Sequence, residues 1–254
     1  MSWYVVTARE WRDLWLGGRG PILMFALSIL LSAITYLAAT NQILNYLEQR
    51  EAVNLTLQVA VAVGALVTLV VSADAISGER ERATLESLLL APVSRRAIVL
   101  GKLTAAVSLW LGAFAVAVPY LWALGRGVSA LVPAMVTGLV VGTLLAVGLS
   151  AVGLLISIRS KSNKVSVSVS LFLLLALFAP TQLPTPHGAF GVFLDRLNPV
   201  AAALHYLTTV VVNGRGWTHD LSYLASSLAV ALVGVPTLMI LAPRIVHLVA
   251  GDHR

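Results

Sequence analysis

"SGERERATLESLLLAPVSRRAIVLGK", residues 77–102, decides how the rest of the chain is read. Eight of the 28 charged side chains in the 254-residue sequence fall inside it. Apolar runs of about twenty residues, each long enough to cross a bilayer, lie on both sides. The whole chain is 58% hydrophobic and only 11% charged, with a mean hydropathy of +0.89. Soluble domains of this size carry about 25% charged residues. Outer helices with polar faces, which a large soluble core would need, are scarce here. The class is therefore an all-α membrane protein.

Six segments qualify as spans, roughly Pro21–Ala39, Leu55–Ala73, Ile98–Ala123, Leu131–Ile158, Val165–Ala179 and Leu221–Leu241. The fifth contains "VSVSVS", an alternation that imitates a strand. A lone strand in lipid leaves its backbone groups unpaired, so the segment is expected to be helical, with Ser166 and Ser170 on one face. No internal repeat or linker divides the chain, and residues 1–254 are read as one domain.

The formal charge of +6 and pI near 10.1 would point to nucleic acid in a soluble protein. In a membrane protein, topology explains it first, and no nucleic-acid partner is expected. Of the 17 Lys and Arg residues, thirteen fall on the side that holds both termini and residues 74–101. Arg50, Arg126, Arg196 and Arg215 are the four on the other side. Basic residues collect in cytoplasmic loops, so both termini are expected in the cytoplasm, with the protein in the plasma membrane. The absence of cysteine excludes disulfides and thiolate metal sites. "MSWYVVTAREWRDLWLGGRG" lacks the apolar core of a removable signal peptide.

Residues 1–18 read as an interfacial helix. Tyr4, Ala8, Trp11, Leu14 and Trp15 share one face, with Arg9, Arg12 and Asp13 on the other, a pattern that suits the membrane surface or packing against the bundle. In the fourth span, Gly138, Gly142, Ala146 and Ser150 recur every four residues, which allows close helix approach within or between subunits. In the outer segment 180–220, "PTQLPTPHG" is irregular. "NPVAAALHYLTTVVVNG" then reads as a helix capped by Asn198, with Pro199 in its first turn and Gly214 as its stop. Its apolar stretch is too short to cross a bilayer.

The charged stretch itself predicts a helix over 79–90. Glu79 and Glu81 sit in its first turn, where the helix dipole favours anions. Leu85, Leu88 and Leu89 form an apolar stripe, Arg82 and Glu86 are spaced as a surface ion pair, and Pro92 marks the end. At ~1.5 Å per residue it is roughly 18 Å long and cannot span. Its charges place it at the membrane surface, available to a soluble partner or serving as a solvated connection.

"GERERATLESLLLAPVSRRAIVLGKL" resembles the signature loop of type-2 ATP-binding-cassette exporter permeases. Glu79, Glu81, Thr84, Leu85, Glu86, Leu88, Pro92, Val93, Ser94, Gly101 and Lys102 fall on that pattern; Ala83 stands where the family often has glycine. The likeness implies a permease subunit that pairs with two copies of a separate ATPase, and with a second permease copy or a homologous permease. It also implies that Glu79, Arg80, Glu81, Arg82, Thr84, Leu85, Glu86, Leu88, Leu89 and Pro92 form a coupling helix in a groove of that ATPase. A short re-entrant helix before the last span would gate the outer end, and the substrate would be hydrophobic or amphipathic. ATP and Mg would belong to the partner. A non-transporting subunit relaying ATPase motion to an extracellular partner is the alternative.

The chain itself carries no catalytic signature. "VLGKL" lacks the upstream glycine and the following Ser or Thr of a phosphate loop. His187, His205, His219, His247 and His253 lack ligand spacing, and His205 is read as an interfacial packing residue. Asp74 reads as a snorkelling acid at the end of the second span. Asn54, Gln58, Ser108 and Ser170 are polar candidates for a cavity wall or for helix–helix hydrogen bonds.

Overall fold

The computed structural model describes residues 3–40, 46–85, 93–182 and 189–245. Its described residues are helical, with no strand among them. In order, the helices are α1 (Trp3–Trp15), α2 (Arg19–Thr40), α3 (Tyr46–Glu81), α4 (Arg95–Gly125), α5 (Leu131–Arg159), α6 (Asn163–Gln182), α7 (Ala189–Leu197), α8 (Pro199–Val211) and α9 (Leu224–Leu241). A 3-10 turn, Leu221–Tyr223, leads into α9. Six of these, α2 to α6 and the Leu221–Leu241 segment, are long and apolar enough to cross a membrane.

α3 and α5 form the centre of the bundle, and small residues let them meet. Gly153 lies against the α3 backbone, so that a Cβ there would come within 2.7 Å of the Leu69 carbonyl oxygen. A Cβ at Gly138 would meet Leu57 at 2.4 Å. Trp110 of α4 is fully buried and fills a slot between Gly64 and Gly142. Its indole N–H donates to Thr143 Oγ1 at 3.1 Å, which satisfies the polar edge of a ring buried in apolar surroundings. Gly138, Gly142, Ala146 and Ser150 are all buried within this one chain.

The fifth predicted span is helix α6, and its alternation resolves by helical geometry. Ser166 and Ser170 are completely buried on one face, while Val165 and Val169 are about half exposed on another. Ser166 donates to the Ala73 carbonyl at 2.7 Å, a bond that turns a polar side chain into a link between helices.

One expectation is corrected here. The helix expected to start at residue 79 does not start there: α3 runs unbroken through Glu81. The turn that ends it places Ala83 at φ 56, and the chain is helical again at Leu85. Helix α1 forms as expected, and its aromatic face is divided between the bundle and the outside. Val6 and Leu14 are buried, whereas Tyr4 and Trp11 are 62% and 46% exposed. The shared side of α1 and α4 is set by Gly101 and Gly112, where a Cβ would strike Val6 at 2.7 Å and the Trp15 ring at 2.3 Å.

Candidate functional site

The last two turns of α3 carry a dense polar network that joins six helices. Asp74 accepts from Arg19 at 2.9 Å, from Arg82 at 3.3 Å and from Asn163 Nδ2 at 2.7 Å. Glycine at 78 is what permits this, since a Cβ there would lie 2.2 Å from Asp74 Oδ1. One turn further, Lys102 of α4 reaches Glu79 at 2.7 Å and Glu10 of α1 at 3.0 Å. The Lys102 side chain is only 2% exposed. A cation so enclosed is tolerable only because two carboxylates surround it.

Helix ends supply the remaining partners. Arg80 donates to the carbonyls of Ser160 and Ile158 where α5 finishes, at the negative end of that helix dipole. Glu81 accepts from the Asn163 backbone N–H at 2.7 Å where α6 begins, at a positive end. Ser157 Oγ accepts from the backbone N–H groups of Ile76 and Ser77 at 3.1 and 2.9 Å. Ser77 also donates to the Ala73 carbonyl.

These contacts sort the residues expected to meet an ATPase. Glu79, Arg80 and Leu85 turn inward: the first two are partly buried and bonded within the chain, and Leu85 is 4% exposed against Ile76, Val99 and Leu103. Glu81, Arg82 and Thr84 are exposed, although Glu81 and Arg82 are also tethered to Asn163 and Asp74. Glu86, Leu88, Leu89 and Pro92 lie outside the described residues. Of the α1 residues, Trp15 donates to Ser108 Oγ at 3.0 Å, and Arg9 pairs loosely with Asp13 at 3.8 Å. Trp11 and Arg12 are exposed.

At the opposite end of α3, a polar stripe grips α8. Asn198 caps that helix as expected, accepting from the N–H groups of Val200 and Ala201, while its amide donates to the Leu177 carbonyl of α6. Thr208 Oγ1 accepts from both Asn54 Nδ2 at 3.2 Å and Gln58 Nε2 at 2.9 Å. Arg50, one turn earlier on α3, donates to the Val212 carbonyl. α8 is almost wholly buried, packed among α3, α5 and α9. His205 stacks on Tyr223 with ring centroids 4.3 Å apart. Ser170 Oγ has no partner among the described residues.

Sequence reasoning missed the roles of Glu10, Lys102, Ser157 and Asn163 in this network, and it read Asp74 as a snorkelling residue. The available signal was a lysine at the start of an apolar run, flanked across two turns by acids on other helices. Its pairing depends on tertiary geometry that no local spacing encodes.

Six apolar helices, two of them packed at the centre, with polar networks at both ends of one continuous helix, define a multi-pass membrane protein. The sequence profile described as ABC-2 family transporter protein matches residues 21–243. The chain belongs to that family and is a transmembrane permease subunit of an ABC transporter. Membership implies an ABC ATPase partner and, as is usual in the family, a dimeric assembly. No curated protein matches the chain.

Proposed function

We propose that the chain is the permease half of an ATP-driven exporter, coupled to a separate ATPase through the segment that follows Ala83. Two copies, or one copy with a homologous permease, form the route across the membrane and engage two ATPase subunits. ATP and Mg belong to those subunits. Both termini and residues 74–101 face the cytoplasm, as the excess of basic residues on that side favours. The substrate is hydrophobic or amphipathic.

The observation that carries the reading is the continuity of α3. One helix extends from Tyr46 to Glu81, ends in the network of Asp74, Glu79 and Lys102, and passes through a single turn into the charged segment. A push on residues 85–92 therefore reaches α1, α4, α5 and α6 through bonded contacts. The inward contacts of Glu79 and Arg80 support a docking surface further along the segment. Glu79 and Arg80 position the segment from within the permease, leaving Glu86 and the residues after it to make the outward contacts.

The test is to co-express the chain with its ATPase and change Glu86→Lys. ATPase co-purification and transport into inverted vesicles should both drop while membrane insertion persists. Glu81→Lys is a poorer probe, because Glu81 also holds Asn163. Undiminished capture and transport by Glu86→Lys would overturn the docking assignment.

A further inference from the structure

We propose that the end of the bundle remote from the charged network holds a binding site for a net-anionic, phosphate-bearing amphiphile. The site does not depend on the direction of transport or on the ATPase. A recess of about 420 Å³ opens between the start of α3, the start of α5 and the chain after α8. Among the described residues, Arg50 and Arg215 line it and no acidic residue does. The distribution of Lys and Arg puts only four of the 17 basic residues on this side. Two of those four converge on one recess, where basic residues are otherwise few.

The local structure builds the site around Arg50. Its guanidinium donates to Ser129 Oγ at 3.0 Å and to the Val212 carbonyl at 3.4 Å. The chain can pass this close because residue 214 is glycine at φ 63: a Cβ there would lie 2.9 Å from Arg50 Nη1. Arg215 is 54% exposed and pairs with Asp220 at 3.5 Å. The Asp220 side chain is 25% exposed and lies closer to His219 Nδ1, at 2.7 Å. Its hold on the exposed Arg215 is thus the longer contact, and a phosphate can compete for it. Guanidinium forks match phosphate oxygens in geometry as well as charge.

The walls identify the rest of the ligand. Val132, Pro133, Val136 and Val210 line the recess. Val132 and Val136 are 68% and 57% exposed on the outer face of α5, where lipid chains lie against a spanning helix. Trp217 stands at the recess, 68% exposed. At the same end, the Arg126 guanidinium lies 3.5 Å over the Trp122 ring. Exposed tryptophans near the ends of spanning helices favour the headgroup region of a bilayer. Cations at headgroup depth, beside an apolar track facing the chains, fit a charged head with an attached hydrocarbon tail.

The experiment uses the full chain purified in detergent, with fluorescent phosphatidylglycerol, fluorescent phosphatidylcholine and unlabelled glycerol phosphate as probes. Phosphatidylglycerol should bind at least about tenfold more tightly than phosphatidylcholine, and Arg215→Gln should weaken it by about tenfold, the order expected for one charge-assisted contact. Arg215→Gln spares the bonds of Arg50 to Ser129 and Val212. Arg126→Gln removes the same charge outside the recess and should leave binding unchanged. Val136→Asp should weaken phosphatidylglycerol binding. Equal binding of the two lipids, or equal losses in Arg215→Gln and Arg126→Gln, would overturn the site. Displacement of phosphatidylglycerol by an equal concentration of glycerol phosphate would show a headgroup site alone and overturn the amphiphile assignment.

Discussion

At the residue scale, the tightest fit is the Trp110 ring in its glycine slot. A Cβ at position 142 would come within 2.0 Å of Trp110 Cζ2, and overpacking of this kind costs about 1–3 kcal/mol. Gly142→Ala should therefore lower the unfolding midpoint in detergent, and adding Trp110→Leu should recover part of the loss. The small-residue stripe was legible in the sequence, but its partner was not. Spacing shows that a helix can be approached closely, and only the folded chain shows which side chain fills the space. Lys102 is the opposite case. Lys102→Met would leave Glu10 and Glu79 facing one another without their cation, and removing one member of an enclosed ion cluster costs about 3 kcal/mol. A fall in thermal stability is expected, with partial rescue by Glu79→Gln in the same chain. A Lys102→Met variant as stable as the parent would remove the cluster from the forces that hold α1 to the bundle.

At the element scale, the two amides that α3 sends to α8 converge on one hydroxyl. Thr208→Val removes the acceptor for both Asn54 and Gln58, and each buried amide left unsatisfied costs about 1–3 kcal/mol. The variant should keep ATP turnover in the assembled transporter while losing transport, because the drive would no longer reach α8. Equal losses of both activities would instead assign Thr208 to general stability. The start of α8 was readable from Asn198 and Pro199, since capping is local chemistry. α7 was not: nine residues containing Gly191 make a weak helix in isolation. No element was expected between Gly188 and Asn198, because so short a helix depends on its neighbours. The same limit moved the boundary near residue 79. Acids in a first turn and acids in a last turn look alike in sequence, and the backbone reversal at Ala83 decides between them.

At the scale of the whole molecule, the number of crossings was legible because length and apolarity are set by the bilayer. Orientation rests on the distribution of Lys and Arg, and the cysteine-free sequence makes it simple to test. Ser87→Cys should react only with thiol reagents that enter the cytoplasm; labelling from outside intact cells would reverse the topology. The length of α3 has a mechanical consequence. Its 36 residues make a rod of about 54 Å at ~1.5 Å per residue, longer than the ~30 Å hydrocarbon layer. Pivoted at its packed midpoint, such a rod behaves as a see-saw. A tilt of roughly 10° would carry each tip about 5 Å, in opposite senses, as the rod length sets the arc. Pulling the lower tip toward the symmetry axis of a dimer would swing the upper tip, with α8 fastened to it, away from that axis.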